Sequence, residues 1–215
     1  MASYFTLTLD TTAPSGGSIS IITSTGSRSI TATLAATGAS QMKLYGDIGT
    51  GSTAMAESDA SWETYATSKA IQLTSGDGTK TVKVKFRDSV GNESAEYSAT
   101  TTLDTSVPVP TITGPDKSTI SKVSGYNVAA FSFSVDSEFV AYEVRVVPAN
   151  GSAHTAGKVI GTTNGSTNMS GSGTFAANTA VNCTINAADL EAAESGDGAK
   201  IIKVFVKDAA GNWSV

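Results

Sequence analysis

Residues 75–94 read SGDGTKTVKVKFRDSVGNES, and residues 195–214 read SGDGAKIIKVFVKDAAGNWS. Eleven of the twenty aligned positions are identical, among them Asp77/Asp197, Lys80/Lys200, Asp88/Asp208, Gly91/Gly211, Asn92/Asn212 and Ser94/Ser214. Self-similarity of this kind marks a duplicated structural unit. In the first copy, Thr81-Val82-Lys83-Val84-Lys85-Phe86-Arg87 alternates apolar and charged residues, the period of a strand with one face on a core and the other in water. The second copy, residues 201–207, carries more apolar residues, which predicts that its outer face is partly covered. The flanks read as turns. In Asp88–Asn92 and Asp208–Asn212 an aspartate following a strand accepts N–H bonds from the residues after it, and glycine supplies the positive φ that closes the corner. Ser-Gly-Asp-Gly reads as the tight corner entering the strand, with no strand-to-helix context that would make it a phosphate loop.

Two further matches extend the repeat. Leu9-Asp10-Thr11-Thr12-Ala13-Pro14 pairs with Leu103-Asp104-Thr105-Ser106-Val107-Pro108, and residues 65–71 pair with residues 175–181. The offsets are 94, 110 and 120, so the second repeat is longer, with insertions at 150–173 and 186–194. Within the latter, residues 187–193 read as a short helix capped by Asn186. The boundary falls near Leu103, giving domains 1–102 and 103–215, and the joining stretch holds Pro108 and Pro110, which predicts a short, stiff connection. Other strands are expected at 30–34, 41–45, 111–112, 131–135 and 141–147. Short strands at this spacing, in about 100 residues per repeat, predict an all-β chain of two tandem β-sandwiches.

Composition agrees with that reading. Serine and threonine number 59, glycine 21, and only 15% of residues are charged, so hydroxyls and glycines cover the surface. The net charge of −5 and the lack of a basic cluster exclude a nucleic-acid partner. Lys80, Lys83, Lys85 and Arg87 read as the solvated face of one strand. A single cysteine excludes an intramolecular disulfide framework. Alternation places Cys183 with Val181 and Ile185, as a small core thiol. His154 falls in a polar loop. The first ten residues have neither the basic nor the apolar region of a secretory leader, and no apolar run is long enough to cross a membrane as a helix. The expectation is a chain that folds where it is made, or one whose leader has been removed.

The combination of Leu9–Pro14, Trp62-Glu63-Thr64-Tyr65, Gly76–Val84 and Asp88–Asn92 resembles the bacterial Ig-like modules, over essentially all of repeat one and mainly the ends of repeat two. The resemblance implies seven or so strands in two packed sheets, and no catalysis. Such modules occur in arrays on bacterial surface proteins and on tailed-phage virions. The expected role is therefore a non-enzymatic structural or accessory virion protein of a tailed phage (decoration, neck or tail), localised to the virion, with weak adhesion to host surface glycans. The alternatives are a bacterial cell-surface adhesin module and a carbohydrate-binding accessory module of a polysaccharide-degrading enzyme. Expected partners are other virion proteins, surface glycans and copies of the chain itself.

No catalytic residue is expected. The carboxylates lie in turns (Asp77, Asp88, Asp197, Asp208), at repeat starts (Asp10, Asp104) or on the short insertion (Asp189, Glu191, Glu194), and no Gly-x-Ser-x-Gly elbow occurs. No metal cluster is expected either. Calcium held by Asp104 with Asp88 is the exception that the resemblance implies, against the absence of an Asp-x-Asp-x-Asp run. The contact candidates are Tyr4, Phe5, Leu7, Trp62 and Trp213, because interfaces favour such anchors. Tyr65 and Phe175 are assigned to the cores. Trp213 stands where repeat one has Glu93, which predicts that something covers it.

The repeats are also out of phase with the chain. Repeat one continues past its Gly-Asn turn into a last strand ending at Leu103, whereas Val215 aligns with Ala95. Residues 4–10 match the end of that last strand. Two readings follow: a short final strand in repeat two with a free front segment, or a gap filled by a strand from another chain, such as the front strand of a neighbouring copy.

Overall fold

A computed structural model describes residues 3–215. The chain is all-β apart from short helical pieces and divides into two compact units, the first ending at Thr105 and the second beginning at Ser106.

Unit 1 comprises β1 (Ser15–Ser20), β2 (Ser24–Thr25), β3 (Ser29–Thr37), β4 (Gln41–Gly46), β5 (Glu63–Thr64), β6 (Ser68–Gln72), β7 (Gly78–Arg87) and β8 (Tyr97–Leu103). Its two sheets run β1-β3-β6 and β2-β8-β7-β4-β5, antiparallel except for the parallel β2/β8 pair. The alternation in β7 puts Val82, Val84 and Phe86 inside, all at 0% exposure. They pack with Leu44 and Met42 of β4 and with Ala32 and Leu34 of β3. Burying side chains of this size contributes roughly 1.5–3 kcal/mol each. Phe86 meets Tyr65 edge-on, and the Tyr65 hydroxyl accepts the Ala36 N–H, which ties the two sheets together.

Unit 2 comprises β9 (Pro110–Thr113), β10 (Val128–Val135), β11 (Phe139–Val147), β12 (Lys158–Val159), β13 (Ser170–Phe175), β14 (Val181–Asn186), α1 (Ala187–Ala193) and β15 (Ile201–Lys207). One sheet runs β9-β10-β14. In the other, β11 carries β12 and β13 along one edge and β15 along the opposite edge. Both units are thus Ig-like sandwiches of two packed sheets. The core joins Phe133, Phe139, Tyr142, Val144, Cys183 and Val206, and Phe139 stacks on Phe175 at 4.8 Å. The side chain of Asn186 caps α1 by accepting the Ala188 N–H. The 150–173 insertion supplies β12 and the start of β13, so β11 has more edge pairing than β4, whose outer neighbour is the two-residue β5.

The duplicated turns are built alike. Asp88 Oδ1 accepts the N–H groups of Val90, Gly91 and Asn92 at 2.7–2.9 Å, and Gly91 has φ +97°. Asp208 accepts the Asn212 N–H at 2.8 Å, and Gly211 has φ +100°. The following serines act inside the sheets. Ser94 Oγ accepts the Phe86 N–H and Ser214 Oγ accepts the Val206 N–H, both at 3.0 Å and both buried.

Two expectations need correction. Residues 4–10 form no strand and join no sheet of this chain; Phe5, Leu7 and Leu9 are more than 80% exposed. The reason is that the place beside β7 which their pattern fits is already taken by β8. Lys80 does not belong to a solvated face. It sits on the inward phase of β7 at 8% exposure, its stem buried and its ammonium donating to the Ser75 carbonyl.

Candidate interaction surfaces

The outer face of β4 and β7 carries a network of paired charges. Glu57, on a single 3-10 turn, bridges Lys43 at 2.8 Å and Lys85 at 2.7 Å. Hydrogen bonds from Lys43 and then Lys85 hold its carboxyl down at about 2, against an ordinary 4.5. Glu96 accepts the Tyr45 hydroxyl at 2.6 Å and pairs with Lys83 at 3.0 Å. The Tyr45 phenol is pushed well above its usual range, first by burial and then by the Glu96 carboxylate. Tyr45, Glu57, Lys83 and Glu96 border a shallow depression of about 430 Å³. The Arg87 guanidinium lies 4.4 Å and the Lys43 ammonium 4.7 Å from the ring centre of Trp62. Two cations of its own sheet therefore meet the ring.

The outer face of unit 2 is covered from within. Phe205, on the outward phase of β15, is 1% exposed. Arg145 donates to the carbonyls of Ala156 and Gly157 and pairs with Glu143, anchoring the loop that carries His154. The imidazole of His154 stacks on Trp213 at 4.5 Å and 7°. Tyr4, Phe5 and Leu7 stand at 94%, 87% and 83% exposure.

Unit 2 carries a large concavity. A groove of about 1020 Å³ runs between the β9-β10-β14 sheet and β15, with an apolar floor that includes Ile112, Phe131, Ile185, Leu190, Ile202 and Val204. One wall is an open strand. β7 pairs with β4 and β8, whereas β15, among the described residues, pairs only with β11. Consequently β15 is seven residues long against ten for β7. The residues missing from it, 198–200, correspond to Gly78–Lys80, which in unit 1 are held by β8 alone.

Asp88, Asp189 and Cys183 are bound into the fold. Burial works to raise the Asp88 carboxyl, but the Asn92 side chain and the turn N–H groups outweigh it and leave it below its usual value. Asp189 is 1% exposed; its oxygens accept the N–H groups of Asn164 and Ser166, and these bonds likewise outweigh burial. Burial pushes the Cys183 thiol up to about 11. Among the described residues no group of three or more His, Cys, Asp or Glu is placed to hold a metal. No helix is long and apolar enough to cross a membrane.

Sequence signals for these arrangements were uneven. Asp189 and the His154–Trp213 stack have no counterpart in repeat one; the replacement of Glu93 by Trp213 announced a cover over the indole, but nothing local named His154 or the Asp189 bonds. The groove was visible only as a missing final strand.

No family model matches the chain, and no curated protein matches it. Among solved structures it is similar to a bacterial 1.5-MDa ice-binding adhesin (18% identity, 92% of this chain and 60% of that one, TM-score 0.37). It is also similar to a tetra-tandem repeat from the extending region of a large adhesion protein (17%, 93% and 47%, TM-score 0.31). A third similarity is to a chitinase from Bacillus thuringiensis (12%, 92% and 30%, TM-score 0.33). The chain spans between 30% and 60% of the length of these three.

Proposed function

We propose that this chain is a non-enzymatic tandem of Ig-like modules serving as a structural and adhesive part of a surface protein, of the adhesin or accessory-module kind. The observation that supports this reading is the engagement of its perturbed ionisable groups. Glu57 and Glu96 lock lysines across a sheet, Asp88 and Asp189 hold turns and loops, and Cys183 sits in a core. A catalytic carboxylate or thiol needs a face turned toward substrate; these groups turn theirs toward their own backbone and side chains. No cofactor is part of the proposal, and the Asp88 of the calcium expectation spends its oxygens on the turn. Surface glycans and neighbouring proteins are the proposed partners; nucleic acid and membrane are not.

A place on a tailed-phage virion would use the same physical features and differs only in location. Immunogold labelling of intact producing cells and of purified phage particles separates the two. Label on the cell surface supports the adhesin reading, label confined to virions replaces it with the virion role, and glycan-hydrolysing activity of the purified chain overturns both.

A further inference from the structure

Six asparagines of this chain open an Asn-x-Ser/Thr triplet: Asn92, Asn150, Asn164, Asn168, Asn182 and Asn212. The triplet is the acceptor pattern for N-linked sugar, and it serves where the side-chain amide and the hydroxyl two residues on are both open to an enzyme. The fold withholds one or both at five of the six.

Asn92 and Asn212 belong to the duplicated turns. Asn92 Nδ2 donates to Asp88 Oδ2 at 2.7 Å and Asn212 Nδ2 donates to Asp208 Oδ2 at 2.8 Å. The serines of these triplets, Ser94 and Ser214, are buried and accept strand N–H groups. Asn164 Nδ2 donates to Asp189 Oδ1 at 2.9 Å, and its Ser166 is buried with the hydroxyl accepting the Asn186 N–H. Asn168 Nδ2 donates to the Asn182 carbonyl at 2.7 Å. Asn182 keeps an exposed side chain, but it lies inside β14, opposite Ser132 of β10, and the hydroxyl of its Thr184 is shared with that of Thr167 at 2.8 Å.

Asn150 differs on every count. The Gly151 N–H donates to the Pro148 carbonyl at 2.8 Å, a turn whose third position is Asn150, and residues 148–150 and Ser152 are exposed. Among the described residues no hydrogen bond engages the Asn150 amide or the Ser152 hydroxyl. The triplet lies between β11 and β12, outside both sheets, so an enzyme can grip it without breaking a ladder. Its base is fastened, since Arg145 holds the carbonyls of Ala156 and Gly157. It also opens the 150–173 insertion, which repeat one lacks.

We propose that Asn150 is the attachment site of an N-linked glycan, displayed at the tip of the loop between β11 and β12. This goes beyond the surface-protein reading, in which the chain meets glycans as partners; here it carries one. The co-reactant is an activated sugar, a glycosyl phosphate donor. Asn150 Nδ2 attacks its anomeric carbon, the bond from that carbon to the phosphate oxygen breaks, and the phosphate leaves with the bonding pair. The amide proton passes to a base of the transferase, and the Ser152 hydroxyl is the group by which the transferase recognises the triplet.

The test is the mass of the full chain purified from the cells that make it. The expected mass exceeds that of the sequence by whole sugar residues, and peptide mapping places the addition on Asn150 and on no other asparagine. Asn150→Gln and Ser152→Ala each remove the addition completely, Ser152→Thr keeps it, and all three variants match the parent by circular dichroism, both positions being exposed and outside the sheets. A mass equal to that of the sequence overturns the proposal. So does an addition that survives Asn150→Gln, maps to Asn182 or is linked through a serine or threonine oxygen. Immunogold labelling decides the surface reading separately: label on the cell with an unmodified chain removes the glycan site alone, and a sugar on Asn150 without label on the cell removes the surface reading alone.

Discussion

Asp77 and Thr105 meet through two hydrogen bonds on one carboxylate oxygen, and this pair clamps the end of β8 to the corner that starts β7. The corner recurs at Asp197, where unit 2 supplies no threonine. Asp77→Ala should lower the stability of the chain by about 1 kcal/mol, the usual net value of an exposed clamp of this kind. Asp197→Ala should leave monomer stability unchanged. Thermal denaturation of both variants at low concentration checks the asymmetry.

The serines of the duplicated motif are structural. Each accepts a strand N–H in the interior, Phe86 for Ser94 and Val206 for Ser214. Replacing either with alanine strands a buried donor and should cost about 1–3 kcal/mol. Urea denaturation of Ser94→Ala and Ser214→Ala, compared with Ser89→Ala in the neighbouring turn, reads this directly.

Glu57 sets an acid limit on unit 1. Its carboxyl titrates near 2 in the folded chain and near 4.5 when unpaired, so the folded state holds fewer protons in that interval. Its contribution is complete above pH 4.5 and is lost as pH falls toward 2. Melting temperature followed from pH 5 to pH 2 should fall less steeply in Glu57→Gln than in the parent.

Asp189 organises the second insertion. Its oxygens hold the N–H groups of Asn164 and Ser166, and the Ser166 hydroxyl accepts the Asn186 N–H at the start of α1. Asp189→Ala should cost about 2 kcal/mol, a charged acceptor's share, and should speed amide exchange at residues 164–166 while leaving that of β7 unchanged.

The sequence made the sandwiches legible through repetition. The strand alternation of β7, the aspartate turns and the cap on α1 all follow local rules, and duplication doubled each signal. Lys80 was misread because alternation weighs a lysine as polar, whereas its long stem is buried and its ammonium reaches the Ser75 carbonyl. The Ser-Gly-Asp-Gly-x-Lys identity across repeats carried that information, since Lys200 donates to Ser195 in the same way. The His154–Trp213 stack and the Asp189 loop join residues 59 and 23–25 positions apart, and His154, Asn164, Ser166 and Asp189 all lie in the unduplicated insertions, where neither period nor repeat applies. For residues 4–10 the strand pattern was legible; that β8 excludes them from unit 1 was a matter of packing.

One asymmetry separates the two units: β7 is flanked by β4 and β8 along its length, whereas β15 has β11 on one edge and, on the other, only the bonds of Trp213 and Ser214 at its end. Residue-resolved hydrogen exchange on the full chain, dilute enough to be monomeric, measures it. The Ile202 and Val204 amides, on the edge away from β11, should exchange far faster than those of Val82 and Val84 in β7. Equal protection of β7 and β15 in the monomer would contradict it.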